Sequence, residues 1–362
     1  MAEGYRVVVL FILPHFSGGG AERVALNLLT GLHNRGHCVG VLVFNKSGPL
    51  ISMVPNNVLI YNLDTHTLKR SIVPLVTTLR KLNPRVVFST LGYINVALLA
   101  VRWLLPKKIE IWVREANLPS ISLPNNPYPK LITALYRLLY KRADKLICTS
   151  IKMKNEFISV FLVSESIIEI LPNPVDVDLI RSSSLPVKRF DNGGVCYISS
   201  GRLTFQKGFD QLLKWFSTLD DETSTLVILG DGKDKAKLIQ QLNDLYLQNR
   251  VKLIGFCSNP WQWYAGADVF LLSSRWEGLP NVVLESLVCG TPVIATSESG
   301  GVNEIANQVK GGDLVVTSSS SAFINEMLKI KSNPIKKIKK SLLPDVYHID
   351  SSVSMLEELI NS

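Results

Sequence analysis

The sequence predicts an α/β protein made of two doubly wound domains, each with a parallel sheet. Three observations lead there. Short continuous apolar runs recur along the chain, as expected of strands buried on both faces. Stretches with helical periodicity separate them. The alternation breaks once, at a proline-rich segment near the middle, and then begins again over a length of 362 residues, too long for one comfortable core.

The elements follow in order. "RVVVLFIL" (6–13) reads as the first strand, "AERVALNLLTGLHNRG" (21–36) as a helix closed by Gly36, and "CVGVLVF" (38–44) as the next strand. The pattern continues through "RVVFST" (85–90), "IEIWV" (109–113), the helix "PKLITALYRLLYKRA" (129–143) and "KLICTS" (145–150). Prolines and small polar residues cluster from "LPNPVDVDLI" (171–180) onward, which places the domain boundary at 173/174. The second series holds "VCYISSGRL" (195–203), a helix near 208–217, "TLVILGDG" (225–232), a helix near 233–248 and "VKLIGF" (251–256). It goes on with "DVFLLSS" (268–274), a helix from about 281 and "PVIAT" (292–296). This second domain is expected to run from 174 to 345, with a separate amphipathic helix within 346–362. Ligands in doubly wound sheets bind beyond the carboxyl ends of the strands, so the active site is expected in a cleft between the domains.

Composition narrows the class. With 46% hydrophobic and 19% charged residues the chain is globular, not disordered. Its five cysteines are scattered without a CxxC pair, which suits reduced cytosolic thiols and argues against a disulfide frame or a zinc site. Glu3 and the short apolar run after it argue against a cleaved signal peptide. The uncharged stretch of 16 residues between Arg85 and Arg102 is too short and polar to span a bilayer. The net charge of +9 is uneven: residues 1–173 carry 20 Lys/Arg against 9 Asp/Glu, and the remainder 19 against 21. A basic first half points to an anionic partner. Its regions lack the aromatic interleaving of an RNA-stacking surface, so nucleic acid is not expected.

Three loops could carry chemistry. "SGGGAER" (17–23) joins the first strand to the first helix; Gly18, Gly19 and Gly20 let backbone approach a ligand, and the helix start attracts anions. Its spacing fits neither the dinucleotide nor the Walker fingerprint, which disfavours an oxidoreductase, and a plain tight turn explains it equally well. "SSGRLTFQKG" (199–208) sets Arg202 and Lys207 at a strand's carboxyl end, where a planar fork and a mobile point charge could together neutralise a diphosphate. "RWEGLPNVVLESLVCG" (275–290) opens a helix with Pro280 in its first turn. N–H groups after it would face an anion, with Asn281 as a competing cap. Glu285 could accept hydrogen bonds from a diol such as ribose, while Glu277 lies before the turn at the strand's mouth. The simpler alternative, that both glutamates only favour the helix N-terminus, is worth a few tenths of a kcal/mol.

These motifs, with "LGDG" (229–232), "GADVFLLSS" (266–274) and "GTPVIATSESGGVNEI" (290–305), occur in order and approximate spacing. In that order the chain resembles the GT-B fold, retaining glycosyltransferases of family 4, over nearly its whole length. The resemblance implies two Rossmann-like domains and transfer of a sugar from a nucleotide-diphosphate sugar, most commonly a UDP-sugar, with no cofactor beyond that co-substrate. It implies roles for Arg202 and Lys207 on the diphosphate and for Glu285 on the ribose. It also implies that Glu277 meets the donor sugar or the charge at its anomeric carbon. Backbone at Pro280, Asn281, Val282 and Val283 would cradle phosphate, and Gly18–Gly20 would close on the donor. The final helix would pack back on the first domain.

In the first half, "STLGYINVALLA" (89–100) and "WVREANLPS" (112–120) resemble segments of polysaccharide-assembly members. They offer Asn95, Arg114, Glu115 and Asn117 to an acceptor or donor sugar. Asn117 stands nearest to where many members carry a histidine, and His15 is the alternative. The basic surface (Lys69, Arg70, Arg80, Lys81, Lys107, Lys108, Lys130, Arg137, Lys141, Arg142) suits members that meet undecaprenyl-type lipid-linked glycan acceptors at an anionic membrane face in the cytoplasm. Asp176 and Asp178 form a literal DxD, but in the linker, where they read as helix-start residues; no metal is expected. A nucleotide-sugar epimerase shares the paired-domain architecture; the glutamates eight apart together with "GRLTFQKG" favour transfer.

Overall fold

The computed structural model describes residues 8–17, 19–190, 192–333 and 339–362. Of the sequence features above, Glu3, the first two residues of the run 6–13 and Gly18 lie outside the described residues. The chain divides into two compact units, one of residues 1–174 with 349–362 and the other of 175–348. Among the described residues no helix is long and apolar enough to cross a membrane.

The first unit holds a seven-stranded sheet: β1 (Val9–Leu13), β2 (Val39–Val43), β3 (Leu59–Asn62), β4 (Val86–Ser89), β5 (Glu110–Arg114), β6 (Lys145–Cys148) and β7 (Ile168–Ile170). Its order is β3-β2-β1-β4-β5-β6-β7, all parallel. The second unit holds six: β8 (Cys196–Ser200), β9 (Thr225–Leu229), β10 (Val251–Gly255), β11 (Val269–Leu272), β12 (Val293–Thr296) and β13 (Leu314–Thr317), in the order β10-β9-β8-β11-β12-β13, again parallel. Every residue of β1, β2, β9 and β11 is buried, which is why these strands read as continuous apolar runs. β3 (LIYN), β7 (IEI) and β13 (LVVT) do not stand out in the sequence and are only three or four residues long. All three are edge strands with partly exposed residues, so selection for apolar side chains on both faces is relaxed there.

Helices cover both faces of each sheet and leave one core per face. The C-terminal helix Ile349–Asn361 belongs to the first unit. It buries Val353, Leu356 and Ile360 in the core shared with the helix Gly20–Asn34. Gly31 permits this approach, because a Cβ there would lie 2.3 Å from a Val353 methyl. Arg35 and His37 then clasp Glu357 at 3.1 and 2.6 Å.

In a doubly wound sheet the strand order reverses at one point, and the loops leaving the two strands there open a crevice. In the first unit that point lies between β1 and β4; in the second it lies between β8 and β11.

Candidate functional site

In the second unit the loops after β8 and β11 meet at the switch point. The loop after β8 forms a 3-10 turn, Phe205–Lys207, ended by Gly208 at φ +66°. Only glycine fits there without strain, and a Cβ would sit 2.0 Å from the Ser273 carbonyl oxygen. The two loops are then tied together repeatedly. Gln211 Nε2 donates to the Ser273 carbonyl (2.7 Å), Ser273 Oγ to the Lys207 carbonyl (3.1 Å) and Gln206 Nε2 to the Trp276 carbonyl (3.0 Å). Arg275 lies 3.9 Å over the Phe205 ring and forks onto Asp210 at 2.8 and 2.7 Å.

This frame brings Lys207 and Glu277, 70 residues apart, into a 2.6 Å ion pair. Ser274 Oγ donates to the same Glu277 Oε1 at 2.6 Å. The pair is largely withdrawn from water, with side chains 14% and 9% exposed. A third loop, after β12, closes from beside it. Gly301 N–H donates to the Gly278 carbonyl (2.7 Å), and Gly300 (φ +68°) passes so near Glu277 that a Cβ would lie 2.1 Å from its carbonyl oxygen. The family resemblance implies Lys207 on a phosphate and Glu277 at the donor sugar or its anomeric charge; the structure shows that each is the other's partner. A side chain held by a buried carboxylate and its hydrogen bonds is fixed in direction, which is what electrostatic preorganisation requires. Arg202, five residues earlier, is exposed, and its side chain makes no hydrogen bond or ion pair among the described residues.

The helix after β11 runs Asn281–Val288. Pro280 is its N-cap, not its first residue, and no side chain caps the start, so Asn281 does not cap it. The Val283 N–H already donates to the Pro280 carbonyl at 3.1 Å. In the first turn this N–H thus closes a short internal bond. Val282 keeps an amide with no hydrogen bond among the described residues. One turn in, Glu285 Oε2 accepts from Trp261 Nε1 (3.1 Å), a contact from the helix Trp261–Gly266 that no sequence spacing announces.

In the first unit the expected sugar contacts separate into two kinds. His15 and Asn117 are partly exposed beyond the carboxyl ends of β1 and β5, where His15 Nδ1 accepts the Ser17 N–H at 3.3 Å. Asn95 and Arg114 are instead 0% and 1% exposed, so neither stands open to a sugar as the sequence reading has it. Asn95 Nδ2 donates to the Arg114 carbonyl (3.0 Å) and to Glu115 Oε1 (2.8 Å), and Arg114 Nη2 donates to Asn173 Oδ1. They brace the sheet end that carries Asn117. Gly19 is the N-cap of the helix Gly20–Asn34. A Cβ on it would lie 2.1 Å from Glu22 Oε2, so the chain sets a carboxylate of its own at this positive helix end.

Glu115 itself is 6% exposed and accepts from Asn95, Tyr136 and Tyr140. Burial outweighs these donors and lifts its pKa from 4.5 to about 7. Between those values the folded carboxyl holds a proton that the unfolded one has lost, so stability falls as pH rises from about 4.5 to about 7. The full penalty is on the order of 3 kcal/mol. Urea titrations from pH 5 to 8 should show this decline, and Glu115→Gln should flatten it. An equal slope in the variant would rule Glu115 out as its source.

Asp176 and Asp178 behave as helix-start residues. Asp176 Oδ1 accepts the Leu179 N–H (2.9 Å) as N-cap of the helix Val177–Ser183, whose first turn holds Asp178. No group of three or more His, Cys, Asp or Glu side chains that could hold a metal ion occurs among the described residues.

Comparison with known proteins bears on both units. The family model of glycosyl transferases group 1 matches residues 183–341, and that of glycosyltransferase family 4 matches 18–179. An uncharacterized glycosyltransferase of Methanocaldococcus jannaschii is 37% identical over 205 residues, 55% of this chain and 50% of that protein. The N-acetylgalactosamine-N,N'-diacetylbacillosaminyl-diphospho-undecaprenol 4-alpha-N-acetylgalactosaminyltransferase of Campylobacter jejuni is 29% identical over 65% of this chain and 64% of its own length. The matched region thus takes in less than two thirds of either relative. Among solved structures, Anabaena Alr3699/HepE in complex with UDP and glucose has a TM-score of 0.70 at 18% identity, covering 97% of this chain and 94% of the other, a likeness of fold.

Proposed function

Because the chain belongs to the GT-B glycosyltransferases of group 1 and family 4, we propose that it transfers a sugar from a UDP-sugar to a lipid-linked glycan acceptor, with retention of anomeric configuration. The setting is cell-surface polysaccharide assembly at the cytoplasmic face of a membrane. The Campylobacter relative is named for an undecaprenol-linked acceptor, and the Anabaena structure for bound UDP. The observation that carries the reading is the Lys207–Glu277 pair, set at the switch point of the second sheet where a doubly wound fold receives its ligand.

In this reading Lys207 and Arg202 meet the donor's diphosphate. Negative charge grows there as the glycosidic bond breaks, so fixed cations stabilise the transition state more than the ground state. Glu277 and Ser274 hold Lys207 on target without reorganisation. The Val282 amide, at a helix N-terminus, adds a donor on the phosphate side. Glu285, oriented by Trp261, takes the ribose hydroxyls. The acceptor attacks on the face the leaving group vacates, with no protein nucleophile, no cofactor and no metal. His15 and Asn117 are the acceptor-side polar groups of the first unit.

A thermal-shift panel of nucleotide sugars tests this. One UDP-sugar should raise the melting temperature of the wild type and leave Glu285→Ala unmoved. Formation of a new sugar isomer from that donor without acceptor would instead identify an epimerase.

A further inference from the structure

The helix Pro129–Leu139 is apolar on two sides. Tyr136 and Leu139 are buried in the core of the first unit, and Ile132 and Leu135 pack against it. On the opposite side Leu131 and Leu138 stand 59% and 61% exposed, with Ala134 between them at helical spacing. A shallow groove runs along that face, floored by Pro124, Pro129, Ala134 and Leu138 and edged by Lys130 and Arg137. Tyr128, 70% exposed, stands at its head. Arg137 Nε donates to the Val160 carbonyl (3.2 Å), which ties in the turn that carries Leu162, 63% exposed. A solvent-facing stripe of this kind has no role in the core it leaves behind.

Charge identifies its partner. Between Glu115 and Asp144 the chain has no acidic residue, while Lys130, Arg137, Lys141 and Arg142 are all exposed. A second copy docked through the same face by twofold symmetry would set four cations against four. Exposed leucines and a tyrosine ringed by cations instead match the interfacial layer of a bilayer with anionic headgroups, where apolar side chains insert and cations stay at headgroup level. Topology adds a reason. The chain reaches this helix from β5 through 115–128, so its N-terminal end begins on the carboxyl-end side of the sheet, as do His15 and Asn117.

We propose that the face of helix Pro129–Leu139 formed by Tyr128, Leu131 and Leu138 with Lys130, Lys141 and Arg142 is a docking surface for anionic lipid bilayers. It narrows the basic surface noted in the sequence to one face, and it rests on the lipid-linked acceptor reading. A second aromatic–basic patch, around Trp103 with Lys107 and Lys108, is 77% exposed at the tryptophan but lies in the connection entering β5, at the amino end of the sheet.

The test is flotation of the whole chain with vesicles of phosphatidylcholine alone and with 30% phosphatidylglycerol. The wild type should bind the anionic vesicles at least tenfold more. Leu131→Gln/Leu138→Gln should lower that binding about tenfold with no change in charge. Lys130→Gln/Lys141→Gln/Arg142→Gln should lower it at least as much, and Trp103→Gln should leave it unchanged. Wild-type binding in the leucine variant would mean electrostatic adsorption only and overturn the proposal. So would loss of binding in Trp103→Gln with the helix variants unaffected. Vesicle failure with a UDP-sugar thermal shift intact would sink this surface and leave the transferase reading standing. Vesicle binding with the expected variant pattern but no nucleotide-sugar shift would do the reverse.

Discussion

Lys207→Ala is expected to lower kcat by about 10²- to 10³-fold, the usual loss when one preorganised group facing a developing anion is removed. The structure adds a second, separable consequence. The substitution leaves Glu277, 7% exposed, without the ammonium it now holds at 2.6 Å. Breaking a buried pair by removing one partner costs about 3–5 kcal/mol, whereas removing both charges costs far less. The single variant should therefore melt early, and Lys207→Ala/Glu277→Gln should recover most of the melting temperature while staying as inactive as the single variant. Steady-state kinetics with the stabilising UDP-sugar, beside thermal denaturation, separates the two effects. Activity within threefold of wild type in Lys207→Ala would remove this residue from the chemistry.

Ending the chain at His348 is the second large perturbation. It strips the helix Ile349–Asn361 from the helix Gly20–Asn34 and uncovers the site of Val353, Leu356 and Ile360, each 2% exposed or less. Burial of side chains this size contributes about 1.5–3 kcal/mol each. The sum, about 5–9 kcal/mol, rivals the whole net stability of an ordinary domain. The first unit should lose cooperative unfolding, while the second, with its own cores, keeps its transition. Limited proteolysis followed by mass spectrometry reads this directly, as rapid cleavage within 8–174. Wild-type resistance there would show that the helix is dispensable to the fold.

The structure also explains where the sequence was readable. Strands buried on both faces, such as β1 and β9, must be apolar throughout, so they stand out as runs. The edge strand β3 has no fully buried residue and merges into its surroundings. The same physics acts on the site. Gly208, Lys207, Glu277 and Glu285 are local demands of tight loops and a helix start, and each shows as a residue type at a fixed spacing. Ser274 and Trp261 carry no such mark, because their parts depend on partners 3 and 24 positions away that only folding brings within reach.

Asn95 and Arg114 make the contrast sharpest. As letters in a loop after a strand they resemble groups waiting for a sugar. Folded, both are buried: Asn95 donates to Glu115 and to backbone, and Arg114 donates to Asn173, so they serve as bracing. By itself the sequence determined two α/β series, the break between them, the order of the loop motifs and the basic character of the first half. Periodicity, glycine placement and charge are written residue by residue. Only the tertiary structure decided that Lys207 and Glu277 form one unit and which basic side chains share a face with exposed leucines. Those are distances between parts of the chain far apart in sequence, fixed by how the sheets and helices pack.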